Sequence, residues 1–562
     1  MKIPMRFILL VVVVGAAAIW LWARPIYRQH KEAQAVQRAE EYFAKGDFQN
    51  ASLSARRGLG LNRRSIGACR VMGALAEAGG GPGLLEWRGR IAELQPDMSN
   101  KLALAEAGLR VQGRPWPMAG QVLEELAGCG ATNALFQVLS AELALKKGDA
   151  QEAEAHFEKA SEIEPNNPLH QLNLAALRLE SVDSAKAARA RAVLEGLSGE
   201  SRVGLLSLRW LIADALRRKD LPRAEQVSRR LLEEKGVTIA DSLKHVEILE
   251  ASQSTEWEGY LQTVEERAAT NAPDVYRVAS WLMSRQMAGR AWAWLSGLPE
   301  EEQGEGAVRL AKAECYLARR DFGGAQDFLE GQRWGELEFL RLGLGAVAAG
   351  GEKNLVSARA QWGLALREAG ARLEGLVSLQ ELAGRWASES VAASEAKEAV
   401  LWQIAERFAG QGWAWGELER GYAARGNTRG LHKLYGAMVR GDPKDAVARN
   451  NLAATSMLLG VESVGAYRLA GEVYGEHGGE AVFATTYAWG LHLQGRTREA
   501  LAVVEGLPPE RLEAPGVALY YGLLLNADGQ TNKAAAYLER GRQGRLLPEE
   551  EELVKEARRN RR

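Results

Sequence analysis

Residue pairs suited to turns, Gly46-Asp47, Gly80-Gly81, Arg114-Pro115, Gly148-Asp149 and Val182-Asp183, recur at a constant interval along the chain. A fixed period of about 34 residues marks a helical repeat array and constrains the fold more than any other feature of the sequence. The clearest unit runs from Ala134 to Asn167. Gly148 breaks a helical pattern there, and Ala153, Phe157 and Ala160 follow on one helix face before Pro165 ends the second helix. The small residues let a paired helix approach closely, and the aromatic plugs the gap between neighbouring pairs. The unit reads as a helical hairpin.

The same offsets place Ala51 and Ala55 after Gly46, then Leu431, Tyr435, Met438 and Pro443 after Gly426, and Ala534 and Leu538 after Gly529, while Ala39 and Tyr42 precede the first turn. In the second block the turns at Gly426, Gly460, Gly495 and Gly529 keep the same interval to within one position. These residues resemble the tetratricopeptide repeat family. The resemblance implies an all-α, right-handed α-solenoid of antiparallel helical hairpins, and the apolar run at the N-terminus is expected to precede it as one transmembrane helix. Between the blocks the phase slips: turns are expected at Lys219-Asp220, Gly289-Arg290 and Arg320-Asp321, and residues 340 to 411 fit the template poorly. The expected organisation is a tail (1–6), an anchor (7–23), a juxtamembrane segment (24–33), a first repeat block (34–200), irregular helical repeats (201–411) and a second block with a capping helix (412–562).

A solenoid grows linearly, so 562 residues count repeats rather than globular domains. With 46% hydrophobic residues the chain supports a continuous core, and β-branched alternation is nearly absent beyond the N-terminus. Basic and acidic residues, 71 and 72, are interspersed to a net charge of -1 and form no broad positive field, so nucleic acid is not an expected partner. Cys69, Cys129 and Cys315 form no CxxC pair; Cys69 and Cys315 fall where a repeat buries small residues and read as packed thiols.

Phe7 to Ala23 is an apolar run flanked by Lys2 and Arg6 on one side and Arg24, Arg28 and Lys31 on the other. A run of this length reaches the short end of a bilayer span, about 17 residues. Trp20 and Trp22 fall at interfacial depth. The run reads as a retained single-pass anchor in a cell inner membrane. A cleaved signal peptide is the rival, since Ala16 and Ala18 offer a small-x-small site. The basic tail resembles an export signal and inclines the repeat domain towards the periplasmic side.

No phosphate-cradling GxxxxGK[ST], HExxH or GxSxG motif occurs, so no enzyme activity and no cofactor are expected. Gly343-Leu344-Gly345 imitates a dinucleotide loop but sits in a helical pattern, where close helix packing explains it better, and Gly79 to Gly83 falls at a repeat turn. The seven histidines offer no metal-ligand spacing. Fourteen tryptophans follow the anchor, a core population with a reserve of binding hot spots. The basic end after Glu549 to Glu552 reads as a capping helix whose charges complement its dipole.

In the family resembled, the first helix of each hairpin lines the inner curve, with helix positions 2, 5, 9 and 12 facing inward. That phase implies groove residues Arg70, Lys101, Glu142 and Leu172 in the first block, and Trp413, Arg420, Asn450, Trp489, His492 and Asn526 in the second. Asn173 and Asn451 occupy a place used by members that grip a terminal carboxylate, but Val138 with Glu142 and Gly416 with Arg420 stand where its partners belong, so another peptide or a folded protein is expected. The function expected is a membrane-tethered scaffold for protein–protein interaction in an envelope, secretion or polysaccharide-export complex. The alternatives are a self-associating homo-oligomer or a ligand-binding or catalytic insertion at 340–411 carrying Glu368, Glu374, Glu381 and Glu389.

Overall fold

Each turn that the repeat period places, where the structure covers it, joins two antiparallel helices. The computed structural model describes residues 5–78, 83–111, 116–370, 372–408 and 412–559, with the side chains of 5–23 and 111 outside that description. The expected turns Gly80-Gly81 and Arg114-Pro115 lie outside it, as do the side chains of the apolar run 7–23. Every element among the described residues is helical.

Two compact units divide at Arg319 and Arg320. The first contains α1 (Met5–Ala44), α2 (Phe48–Leu61), α3 (Ile66–Ala78), α4 (Gly83–Leu94), α5 (Met98–Val111), α6 (Pro117–Leu126), α7 (Ala134–Lys147), α8 (Ala150–Ile163), α9 (Pro168–Arg178), α10 (Ser184–Leu197), α11 (Gly204–Arg217), α12 (Leu221–Leu232), α13 (Ile239–Ala251), α14 (Trp257–Ala268), α15 (Ala272–Ser284), α16 (Ala288–Ser296), α17 (Glu300–Gln303) and α18 (Gly306–Ala318). The second contains α19 (Phe322–Leu329), α20 (Glu338–Gly351), α21 (Leu355–Ala369), α22 (Leu373–Trp386), α23 (Val391–Arg407), α24 (Gly412–Ala424), α25 (Thr428–Gly441), α26 (Ala446–Leu459), α27 (Ser463–Glu476), α28 (Ala481–Leu493), α29 (Thr497–Glu505), α30 (Pro509–Leu512), α31 (Pro515–Ala527), α32 (Thr531–Gly541) and α33 (Pro548–Arg559). Successive odd–even pairs up to α15/α16, and α20/α21 through α28/α29 and α31/α32, form hairpins. Among the described residues no helix is long and apolar enough to cross a membrane.

The hairpins form because a residue that accepts left-handed backbone is followed by a helix cap. Gly46, Gly148, Gly426, Gly460, Gly495 and Gly529 all have positive φ, a region glycine enters without steric cost. Asp47, Asp149 and Asn427 then accept hydrogen bonds from the first free amides of α2, α8 and α25. In the middle of the chain the same conformation falls on Lys219, Gln253, Gln286, Arg320 and Lys353. One expected turn is corrected: Gly289-Arg290 lies inside α16, and the turn is at Gln286, φ 63°. Residues 340–411, where the template fades, fold mostly as two further hairpins, α20/α21 and α22/α23.

The core runs along each stack between helices rather than gathering at one centre. Ala153, Phe157 and Ala160 are buried, as are Ala51, Ala55, Leu431, Tyr435, Ala534 and Leu538. Cys69 and Cys315 are buried free thiols, and burial pushes Cys315 up to about 11. Of the fourteen tryptophans after the anchor, Trp334, Trp362, Trp402 and Trp489 are buried, whereas Trp210 and Trp413 are exposed. Gly343 and Gly345 are helical close-packing positions: a Cβ on Gly343 would meet Leu382 at 2.9 Å, and one on Gly345 would collide with Gln361.

Helices α31 and α32 approach closely: a Cβ on Gly541 would lie 2.7 Å from Cα of Leu519. Gly363, in the middle of α21, meets nothing nearer than Arg367 at 3.7 Å. Gly541→Ala is therefore expected to destabilise by about 1–3 kcal/mol, and Gly363→Ala to stabilise by about 0.5–1 kcal/mol. Thermal unfolding of the two variants against wild type checks the opposite signs.

Candidate functional site

The first helices of the last four hairpins, α24, α26, α28 and α31, lie on one side of the stack and repeat their surface at the chain's own period. Their second residues, Trp413, Val447, Val482 and Gly516, follow one another at the interval of the glycine turns. Trp413, Val447 and Val482 are exposed at 36%, 57% and 58%, leaving a row of apolar side chains in solvent. One helical turn further on, Asn450 and Asn451 of α26, Thr485 and Thr486 of α28 and Tyr520 of α31 line a cavity of about 310 Å³, with Leu431, Tyr435, Leu458 and Val517 as further walls.

The C-terminal helix closes this cavity on one side. Acidic residues in its first turn and Arg558 and Arg559 in its last match the helix dipole, and Val554 and Ala557 bury its apolar face. The segment leading into α33 crosses back to the α24–α25 turn, 121 residues away in sequence. There Arg545 Nη2 donates to the Ala424 carbonyl at 2.6 Å, the Thr428 hydroxyl donates to the Glu549 carboxylate, and the Pro548 ring packs beside Gly426. Glu550 accepts from Tyr520 Oη at 2.7 Å and from the Leu547 amide at 2.8 Å. Burial first, then the neighbouring carboxylate of Glu550, holds the Tyr520 phenol protonated well above its usual range.

Two hydrogen-bonded pairs stand at the opposite wall. Tyr435 Oη donates to Glu419 Oε1 at 2.7 Å, and Asn450 Nδ2 donates to Asn451 Oδ1 at 3.2 Å. Burial and then Glu419 raise the Tyr435 phenol, so it stays a donor. Asn450, only 1% exposed, keeps a buried Oδ1 that no protein group reaches.

Of the groove residues expected from repeat phase, the structure sets Asn450 in the cavity wall and Trp413 in the exposed row. Arg420 is exposed and pairs with Glu417 at 2.7 Å on its own helix. Trp489 is 5% exposed and packs between His492 and Tyr520, with ring centroids 5.0 and 5.3 Å away, so its indole belongs to the core. His492 shares a hydrogen bond with Thr497 at 3.0 Å, and burial lowers its pKa. Asn526 lies half-buried near the end of α31.

In the first unit the expected positions sit on successive first helices. Arg70 is exposed on α3, Lys101 on α5 pairs with Glu125 of α6 at 3.1 Å, and Asn173 is half-buried on α9 beside the buried Leu172. The Glu142 carboxyl on α7 is raised by desolvation and then by Glu106 on α5.

Thr486, Tyr520 and Glu550 escape the repeat-phase reading, and Thr485 fits its position 5 without being among the residues expected. Thr485 matches Asn450 at position 5, and Thr486 and Tyr520 match Asn451 at position 6, so extending the accepted phase by one residue finds those two. Glu550 has no such signal, because it arrives with α33 from outside the repeat. Glu368, Glu374 and Glu381 are solvated on α21 and α22, and Glu389 pairs with Arg320 at 2.5 Å. Among the described residues no three His, Cys, Asp or Glu side chains gather as metal ligands.

The Thr428–Glu549 contact is half of the closure and is testable alone. A double-mutant cycle with Thr428→Val and Glu549→Gln is expected to give a favourable coupling of about 1–2 kcal/mol. Additive losses in denaturant unfolding would contradict the closure.

No family model matches the chain, and no curated protein does. Solved structures to which it is similar include Naa15/Naa10 bound to HypK-THB, 14% identical over 94% of this chain and 80% of that chain, with a TM-score of 0.26. Another is the APC/C hetero-tetramer Cut9-Hcn1, 11% identical over 91% of this chain and 96% of that chain, with a TM-score of 0.31.

Proposed function

We propose that this chain is a membrane-tethered, tetratricopeptide-like scaffold that receives a protein partner on the first-helix face of its last four hairpins and performs no reaction itself. The observation that carries the reading is the row of Trp413, Val447 and Val482, three large apolar side chains in solvent at one repeat position. Scattered exposed apolar residues need no explanation, but a periodic row beside a cavity is what a partner segment spanning several repeats would engage. Trp413 supplies the large rigid ring that interface energetics favour.

The tether rests on the apolar run 7–23, and the α1 backbone continues unbroken from Met5 through it to Ala44. Holding the array at a membrane raises the local concentration of the partner, so a modest affinity suffices to organise an assembly. The setting proposed is an envelope, secretion or polysaccharide-export complex, with the repeats on the periplasmic side of the inner membrane.

A photo-crosslinking amino acid placed at Val447 or Val482 of the full-length chain in cells is expected to give a discrete partner adduct. The same group at Gly465, exposed on the second helix α27, is expected to give none. Equal labelling at all three sites, or no adduct at 447 and 482, would overturn the docking face. Deletion of 7–23 is expected to move the chain from the membrane to the soluble fraction, and retention at the membrane would overturn the tether.

A further inference from the structure

The C-terminal helix departs from the stacking order of the hairpins before it. There each second helix is followed by a first helix that packs on it, α25 by α26, α27 by α28 and α29 by α31. The main packing of α33 is instead on α31 and α26, the first helices of hairpins two apart, and its last turn pairs with α32 through Arg558 and Glu539 at 2.7 Å. A helix that touches both α31 and α26 lies across the first-helix face.

Its sequence is that of a helix bound in a groove. Glu550, Leu553, Val554 and Ala557, at i, i+3, i+4 and i+7, form its inner face, and the rest of its surface is mostly charged. The hold is slight, because of its twelve residues only Val554 and Ala557 are buried. The remaining attachment is polar: Thr428 to Glu549, Tyr520 to Glu550 at 2.7 Å, and Arg545 to the Ala424 carbonyl at 2.6 Å. An isolated helix below about 12–15 residues is marginal in water, so α33 depends on this contact and opens locally when it is lost. Its fit is also incomplete. Leu547 and Glu550 bound the cavity of about 310 Å³ together with α26, α28 and α31, and the segment leaves that space unfilled. A void beside apolar walls forfeits packing that a larger side chain recovers.

We propose that α33 is a displaceable occupant of the docking face, and that the partner is an amphipathic helix that replaces it. The partner's first turn carries carboxylates for the hydroxyls of Thr428 and Tyr520, and a large apolar side chain just ahead of that turn fills the cavity between Leu431, Leu458, Val482 and Val517. The chain thereby keeps its own groove shut, and the cost of opening sets the affinity a partner must exceed. This deepens the docking reading above and rests on it.

A fluorescein-labelled peptide of residues 542–559, titrated by anisotropy into the full-length chain in detergent, tests the inference. Only the open fraction of wild type binds it, so a chain carrying Val554→Asp, a change within α33 that leaves α26, α28 and α31 intact, is expected to bind about tenfold more tightly. Arg545→Ala combined with Glu549→Gln removes polar ties outside the core and is a second releasing variant, expected to gain about three- to tenfold. On the released chain a peptide with Leu547→Phe is expected to bind about threefold more tightly, since the larger ring fills the cavity. A peptide with Glu549→Lys and Glu550→Lys is expected to bind about tenfold more weakly. Affinity unchanged by both releasing variants, equal binding of the native and charge-reversed peptides, or no gain from Leu547→Phe would overturn the inference. The docking reading fails separately: a crosslinked adduct at Val447 or Val482 with no gain on release refutes displacement alone, whereas a gain on release without any adduct refutes the docking row and leaves displacement standing.

Discussion

A single helical hairpin has no second surface on which to bury its apolar face, so its stability depends on the hairpins before and after it. That dependence requires close approach between helices, which the chain meets with alanine and glycine at crossing points. Ala51, Ala55, Ala153, Ala160 and Ala534 are fully buried with no side chain beyond Cβ, and Gly541 packs against the backbone of Leu519. Phe157, Tyr435 and Leu538 fill the wider gaps that such crossings leave. From this alternation follow the long linear cores, the regular turns and the presentation of one surface per repeat.

The end of such a stack is its weak place, because the last hairpin has a neighbour on one side only. Helix α33 covers that side with Val554 and Ala557 and then does more than cap. Its N-terminal end, through Glu549 and the preceding Arg545, ties the last hairpin to the α24–α25 turn. The first-helix face thereby carries an exposed apolar row that runs, at Val482, into a cavity whose threonine and tyrosine hydroxyls are engaged.

Much of this is legible in the residues, and the losses have physical causes. Gly-based turns are readable because a left-handed residue favours glycine, and Gly46, Gly148, Gly426, Gly460, Gly495 and Gly529 all take positive φ. Gln253, Gln286 and Lys353 take the same conformation without glycine, where the next residue's amide bonds back to the helix end, Ser254 to Leu249, Met287 to Leu282 and Asn354 to Ala349, and offsets the steric cost; there the period fades. Asn450 follows from repeat phase. Trp489 occupies an inward-facing phase too, but neighbouring rings close over it, a matter of side-chain volumes on adjacent helices that spacing does not encode. The closing role of α33 depends on contacts across 121 residues and leaves no periodic trace.

Amide hydrogen exchange along the full chain tests most directly whether stability resides in stacked hairpins. The account predicts protected helices separated by fast-exchanging turns at Gly426, Gly460, Gly495 and Gly529, and the same alternation through α20 to α23 despite the faded period there. Protection rising to one central maximum, or residues 338–407 exchanging throughout as an unstructured insertion, would contradict it.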